Sequence, residues 1–265
     1  MQPYYFQNIM LKGKKGIIFG IANDHSIAWG ISKKLSEYGA ELALTYQNDT
    51  LLKRIKPLSK EINSKLLIEC DFSQSNSIKK CFDDLNQKWD NIDFVVHAAA
   101  FSNKDELNGR YIDTSLSNFI NTLNISCYSF TEISKLASSM MNNGGSLLTL
   151  SFYGANKVMP NYNVMGVAKA ALEMSVKYLS VDLGKNNIRV NAISAGPMRT
   201  IAGAAIAKAR EVYKYTEKNS PLHRNVRLDE LGNTALYFVS DLSKAVSGEI
   251  HYVDCGFNII GMSQY

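Results

Sequence analysis

Short apolar runs alternate with longer amphipathic stretches along all 265 residues, and no linker or low-complexity segment interrupts the series. Runs at 16–21, 40–46, 66–70, 92–98, 146–150 and 188–193 are rich in Ile, Val, Leu and Phe and predict buried strands. Stretches 27–38, 51–62, 78–89, 116–141 and 162–183 carry helical periodicity, and Pro57 is expected to kink or split the second of them. A last helix at 229–240 leads into Glu249-Ile250-His251-Tyr252-Val253, whose alternation predicts a seventh strand. Strand–helix–strand repetition calls for parallel pairing with right-handed crossovers, hence an α/β, doubly wound parallel sheet of about seven strands with helices on both faces. The length suits one large domain, 1–265. Only 197–225 breaks the pattern, with small residues at 202–209, a polar run at 211–220 and then Pro221. An insertion after a strand's carboxyl end lies over the ligand crevice of such a sheet, so it reads either as a small helical substrate lid or as an ordinary surface hairpin.

The segment Pro160-Asn161-Tyr162-Asn163-Val164-Met165-Gly166-Val167-Ala168-Lys169 carries the clearest chemistry. Seven helical steps of about 100° return Lys169 to nearly the bearing of Tyr162, roughly 10 Å along the axis. A phenol beside an ammonium can polarise a carbonyl or enolate oxygen, and the charge is expected to keep the hydroxyl acidic. Met165 occupies the position one turn before Lys169 and can neither donate a proton nor ionise. Taken alone, such a pair is more often two helix residues that share a face by chance.

The first strand ends at Gly20 and runs through Ile21-Ala22-Asn23-Asp24-His25-Ser26-Ile27 into the first helix. A small residue at that turn admits a pyrophosphate, and the helix start at Ser26 and Ile27 offers it unpaired amides; a loop with a plain Ser cap is the competing reading. The tip of the second strand is the neutral Gln47, where a carboxylate would bind ribose hydroxyls and repel a 2′-phosphate. Lys53 and Arg54 a turn onward could serve a phosphate; the expectation is NADH, with NADPH possible. Asp71 and Phe72 after the third strand stand where an adenine would lie, unless Asp71 only caps a helix. Ala98-Ala99-Ala100 after His97 are small enough for a nicotinamide ribose to lie against backbone, or simply to pack a strand end.

Formal charge is +5 from 29 basic and 24 acidic residues, with the lysines dispersed and no basic run interleaved with aromatics, which argues against a nucleic-acid partner. Cys70, Cys81, Cys127 and Cys255 show neither CxxC pairing nor metal-ligand spacing with the four histidines, so no metal is expected. Such cysteine usage, no leader-like start and no membrane-length apolar segment lead us to expect a cytoplasmic protein without a membrane partner.

Ordered in this way, the chain resembles the short-chain dehydrogenase/reductase superfamily and, within it, the enoyl-acyl carrier protein reductases of FabI type, over about residues 12–261. The resemblance rests on Gly20-Ile21-Ala22-Asn23 with Ser26-Ile27-Ala28-Trp29-Gly30, on Glu41 to Asp49, on Tyr162 with Met165 and Lys169, and on Val190-Asn191-Ala192-Ile193-Ser194-Ala195-Gly196-Pro197 followed by Arg199-Thr200. It implies a Rossmann-like fold and NADH-dependent reduction of trans-2-enoyl thioesters carried on acyl carrier protein, in bacterial fatty-acid elongation. A carbonyl reductase of the same superfamily and a non-catalytic dinucleotide sensor are the alternatives. By resemblance, Gly20, Ser26 and Ile27 would line the pyrophosphate, Gln47 the ribose, Asp71 and Phe72 the adenine, and Ala99 the nicotinamide. Lys169 would hold the nicotinamide ribose and Tyr162 the thioester oxygen, while Met198, Arg199, Thr200, Ile201 and Ala202 would give backbone contacts to the cofactor. Phe101, Ser102, Phe152, Met165 and Ile206 would shape the acyl slot. Two positions depart from the family pattern: Phe152 stands where a tyrosine is frequent, and Ala99 where an isoleucine is common. Long apolar helices at 116–141 and 162–183 fit the homotetramer that the resemblance implies.

Overall fold

A computed structural model describes residues 10–204 and 208–262. Seven parallel strands form one sheet: β1 (Lys15–Phe19), β2 (Glu41–Tyr46), β3 (Leu66–Glu69), β4 (Phe94–His97), β5 (Gly145–Phe152), β6 (Ile188–Ala195) and β7 (Ile250–Val253). Their order is β3-β2-β1-β4-β5-β6-β7. The chain therefore winds outward from β1 in one direction and then, from β4, in the other. A crevice opens where the winding reverses, at the carboxyl ends of β1 and β4.

Alternate strand residues enter two cores. Ile18, Leu42, Leu44, Val96 and Leu148 meet α1 (Ile27–Glu37), α2 (Asp49–Glu61) and α10 (Leu228–Val239) on one face. Ile17, Ala43, Val95 and Leu147 meet α3 (Ser77–Asn86), α6 (Ser129–Ser138) and α7 (Asn163–Gly184) on the other. This burial on both faces is why the strands read as continuous apolar runs. Between the described ends of the 197–225 stretch lie α8 (Ile201–Ala204) and α9 (Ala209–Asn219), so a helical insertion is present there.

Three expectations are corrected. Pro57 neither splits nor ends α2, because it and Lys53, whose carbonyl loses its amide partner, are both exposed and water can satisfy that carbonyl. The helix expected at 116–141 divides into α5 (Leu116–Leu123), a π turn at Asn124–Tyr128, and α6, which ends at Ser138. Tyr162 lies outside α7 as its N-cap, with its carbonyl accepting from the Met165 amide.

His97 closes β4 in full burial, with Nδ1 2.8 Å from Thr149 Oγ1 and Nε2 2.9 Å from Ser129 Oγ. The Phe72 ring stacks on it at 5.8 Å. Burial, with the Lys169 charge adding to it, lowers its pKa to about 3, so the folded protein holds a neutral imidazole. The stabilisation is complete above the unfolded value of 6.5 and is lost as pH falls from there through about 3, since only the unfolded chain binds the proton in that window. Urea unfolding between pH 6.5 and 4.5 is expected to show a stability slope that His97→Gln reduces by about 1.4 kcal/mol per pH unit. An unchanged slope would show that this ring is not the group concerned.

Candidate active site

The cofactor end is built on close backbone approach. Gly20 has φ +100, and a Cβ there would stand 2.3 Å from the Ala98 carbonyl oxygen. Only glycine lets the β1 turn pass so near the end of β4. Ser26 turns its hydroxyl backward to accept from the amides of Ala22 and Asn23 at 3.0 and 3.1 Å. It makes no side-chain cap on α1, so the plain Ser-cap reading fails. The amides of Ile27 and Ala28 have no acceptor among the described residues. Free donors at a helix start above a glycine turn suit a pyrophosphate, and the chain here fits a dinucleotide.

Farther along the sheet edge, Gln47 Nε2 donates to Asp71 Oδ1 at 3.1 Å, and the same oxygen accepts from the Ser73 amide and hydroxyl. Asp71 thus closes its own turn while Oδ2 stays without a partner among the described residues. Phe72 packs on Phe19 and His97. Ala99 follows the end of β4, beside the carbonyl that overhangs Gly20.

Tyr162, Phe152 and Met165 come together. The Tyr162 and Phe152 rings meet edge to face at 5.0 Å, in an apolar cluster with Leu107, Val164 and Met159. Gly154 makes room for this, since a Cβ there would stand 2.5 Å from the Tyr162 ring. Asn163 Nδ2 donates to the Glu106, Leu107 and Gly109 carbonyls and ties the end of α4 (Lys104–Leu107) to the start of α7. The Tyr162 hydroxyl has no hydrogen-bond partner among the described residues, although the residue is 7% exposed. Lys169 Nζ donates to the Leu150 carbonyl at 2.7 Å, and burial lowers its pKa to about 8.

The expectation that Lys169 acidifies the phenol is overturned. Burial, with the Glu173 carboxylate adding to it, pushes the Tyr162 pKa upward. Tyr162 is therefore a neutral O–H donor at physiological pH, which is the form that can stabilise a developing oxyanion.

Other expected residues scatter around this pair. Ser126, on the π turn, receives the Phe101 amide at 2.9 Å and points at Met165 Sδ, 3.7 Å away; Phe101 itself is half exposed. Ser102 is engaged by Asn118 and Thr122 of α5. The Thr200 amide donates to the Met198 carbonyl, Arg199 lies 4.5 Å over the Tyr213 ring, and Ile201 and Ala202 open α8. Ile206 lies outside the described residues. Sequence reasoning missed Ser126, Gly154, Glu173 and Asn156; Glu173, four residues after Lys169 on one helical face, was the signal available.

Strand order reversing at β1, with a buried Tyr/Lys pair following β5, places the protein in the class of short-chain dehydrogenase/reductases. A family model described as enoyl-(acyl carrier protein) reductase matches residues 20–258. The enoyl-[acyl-carrier-protein] reductase [NADH] FabI of Rickettsia typhi is 55% identical over 255 residues, 96% of this chain and 98% of that protein. The crystal structure of FabI from Candidatus Liberibacter asiaticus superposes with a TM-score of 0.95 at 51% identity, covering 97% of this chain and 99% of that one. The reductase from Anaplasma phagocytophilum, solved in complex with NAD, gives a TM-score of 0.92 at 53% identity over 97% and 96% of the two chains. The chain belongs to the enoyl-acyl carrier protein reductase family.

Proposed function

We propose that this chain is an NADH-dependent enoyl-acyl carrier protein reductase, reducing trans-2-enoyl thioesters in fatty-acid elongation. The observation that carries the reading is the buried Tyr162 hydroxyl, without a hydrogen-bond partner among the described residues and set in an apolar cluster, with Met165 where a carbonyl reductase would need its phenol. NADH, when bound, supplies the hydride that reaches Cβ of the substrate. Gly20 and the Ile27 and Ala28 amides would take its pyrophosphate, Gln47 and Asp71 its adenosine end, and Lys169 its nicotinamide ribose. As Cβ is reduced, charge moves onto the thioester oxygen, and the Tyr162 O–H donates to that oxygen. The bond strengthens as charge develops because the apolar cluster excludes water. A conjugate reduction needs its donor farther from the carbon receiving hydride than a ketone reduction does. Tyr162, set beyond Met165 and outside α7, supplies that reach.

The test is consumption of NADH with crotonyl-CoA and none with acetoacetyl-CoA; the reverse preference would sink the reading. Tyr162→Phe is expected to lower kcat about 100-fold while NADH affinity stays within about twofold, as for loss of a single oxyanion donor. The same proposal takes the chain as one domain, 1–265, with 197–225 as a substrate lid, acting in the cytoplasm. Among the described residues no helix is long and apolar enough to cross a membrane, and no group of His, Cys, Asp and Glu could hold a metal ion. Leu116 and Ile120 on α5, Tyr128 on the π turn, and Met174, Tyr178 and Val181 on α7 are exposed, which supports a homotetramer built on these helices. Sedimentation equilibrium decides between tetramer and dimer.

A further inference from the structure

Glu173 sits in α7 one turn beyond Lys169 and, like that lysine, is buried. Ser151 Oγ donates to its Oε1 at 2.6 Å, and Asn156 Nδ2 to its Oε2 at 3.0 Å. The same Asn156 nitrogen lies 3.0 Å from Tyr252 Oη on β7. Its hydrogen-bond donors are neutral, and no ion pair reaches it among the described residues. A carboxylate held in this way costs desolvation free energy that neutral donors only partly offset. Shape and hydrogen bonding alone do not account for a charge at this place.

The compensating charge is one turn away. Lys169 donates to the carbonyl of Leu150, and Glu173 accepts from the hydroxyl of the next residue, Ser151. Two consecutive residues of β5 thus hold the two opposite charges of one helix face. We propose that Glu173 is a positioning residue for the reaction: locked by Ser151 and Asn156, it supplies the fixed negative charge that keeps the Lys169 ammonium charged and aimed once ligand excludes water from the crevice. The inference rests on the reading of Lys169 as the group that holds the nicotinamide ribose. Glu173 acts through Lys169 and touches neither substrate nor cofactor.

The titratable groups facing Lys169 are the Cys127 thiol from the π turn, neutral His97 from β4, and Glu173 itself, while the Tyr162 phenol before α7 feels the Glu173 side chain. Burial holds the Cys127 thiol and the Tyr162 phenol above their ordinary values, so neither supplies a negative charge near pH 8. Lys169, with a pKa of about 8, loses its proton as pH rises, and NADH affinity should fall through that limb. Removing a nearby negative charge lowers a lysine pKa further, so the limb moves toward lower pH.

Measuring NADH affinity by fluorescence titration from pH 6.5 to 10 tests this. Glu173→Gln is expected to move the alkaline limb down by about one pH unit. The Ser151→Ala/Glu173→Leu double variant replaces both partners by apolar groups, the exchange buried polar pairs best tolerate, and is expected to move it in the same direction. A limb that coincides with the parent protein in whichever variant folds overturns the proposal. A merely structural role would lower stability or kcat without moving the limb. If the parent protein ignores crotonyl-CoA, the functional reading fails; if it reduces crotonyl-CoA but the limb stays fixed, only this inference fails.

Discussion

Lys169→Ala is expected to weaken NADH binding about 1000-fold, as befits the loss of two charge-assisted hydrogen bonds worth about 2 kcal/mol each. The ammonium is buried, points from α7 toward the end of β5, and spends one hydrogen on the Leu150 carbonyl. Two hydrogens remain for ribose hydroxyls. In the alanine variant the ribose hydroxyls lose that donor, and the Glu173 carboxyl loses its cationic neighbour one helical turn away. Tyr162→Phe leaves all of this in place, so its NADH affinity should match the parent protein. Isothermal titration of the two variants separates the roles, and equal affinities would overturn the assignment of Lys169 to the cofactor and Tyr162 to the substrate.

Gly20→Ala should damage the protein through the backbone. Its φ of +100 lies in a region that residues with a Cβ rarely enter, and the added carbon would stand 2.3 Å from the Ala98 oxygen. Either the turn or the end of β4 must shift, at a cost of about 3 kcal/mol by analogy with strained or overpacked sites. The melting temperature is expected to drop by about 6–12 °C for that cost in a domain of this size. Since the same turn fronts the Ile27 and Ala28 amides, which have no acceptor among the described residues, NADH affinity should fall as well. A variant that melts with the parent protein would show that the turn relaxes freely.

The architecture was legible because burial on both faces leaves unbroken apolar runs, and all seven strands fall within a residue or two of the stretches that announced them. Pro57 misled because its cost depends on whether the freed carbonyl can reach water, and a sequence does not state which face of a helix is wet. The Tyr/Lys pair was found by helical arithmetic that does not hold, since Tyr162 stands before the first turn of α7. What brings it into place is the Phe152 ring at the end of β5 and the gap at Gly154 in the turn that follows. The direction of its acidity differs for a related reason: spacing reveals the lysine, whereas the burial and the Glu173 carboxylate that raise the phenol's pKa are properties of the folded surroundings. Ser26 had the composition of a helix cap, but its hydroxyl was taken up by the loop behind it. Glu173 was visible as a helical neighbour of Lys169, but nothing in the sequence announced that Ser151 would meet it.

The π turn holds one residue more than an ordinary helical turn. Deleting a single residue from it would give a smoother helix, yet every side chain beyond would rotate by about 100°. Ser129 would leave His97, and Phe130 would turn out from beneath the sheet. Upstream, Ser126 would be left indexed to Phe101 and Met165 as before. The bulge is thus a phase shifter: it lets one rod mesh with the acyl side of the cleft at one end and with the strand layer at the other, two gears whose teeth no uniform screw could engage together.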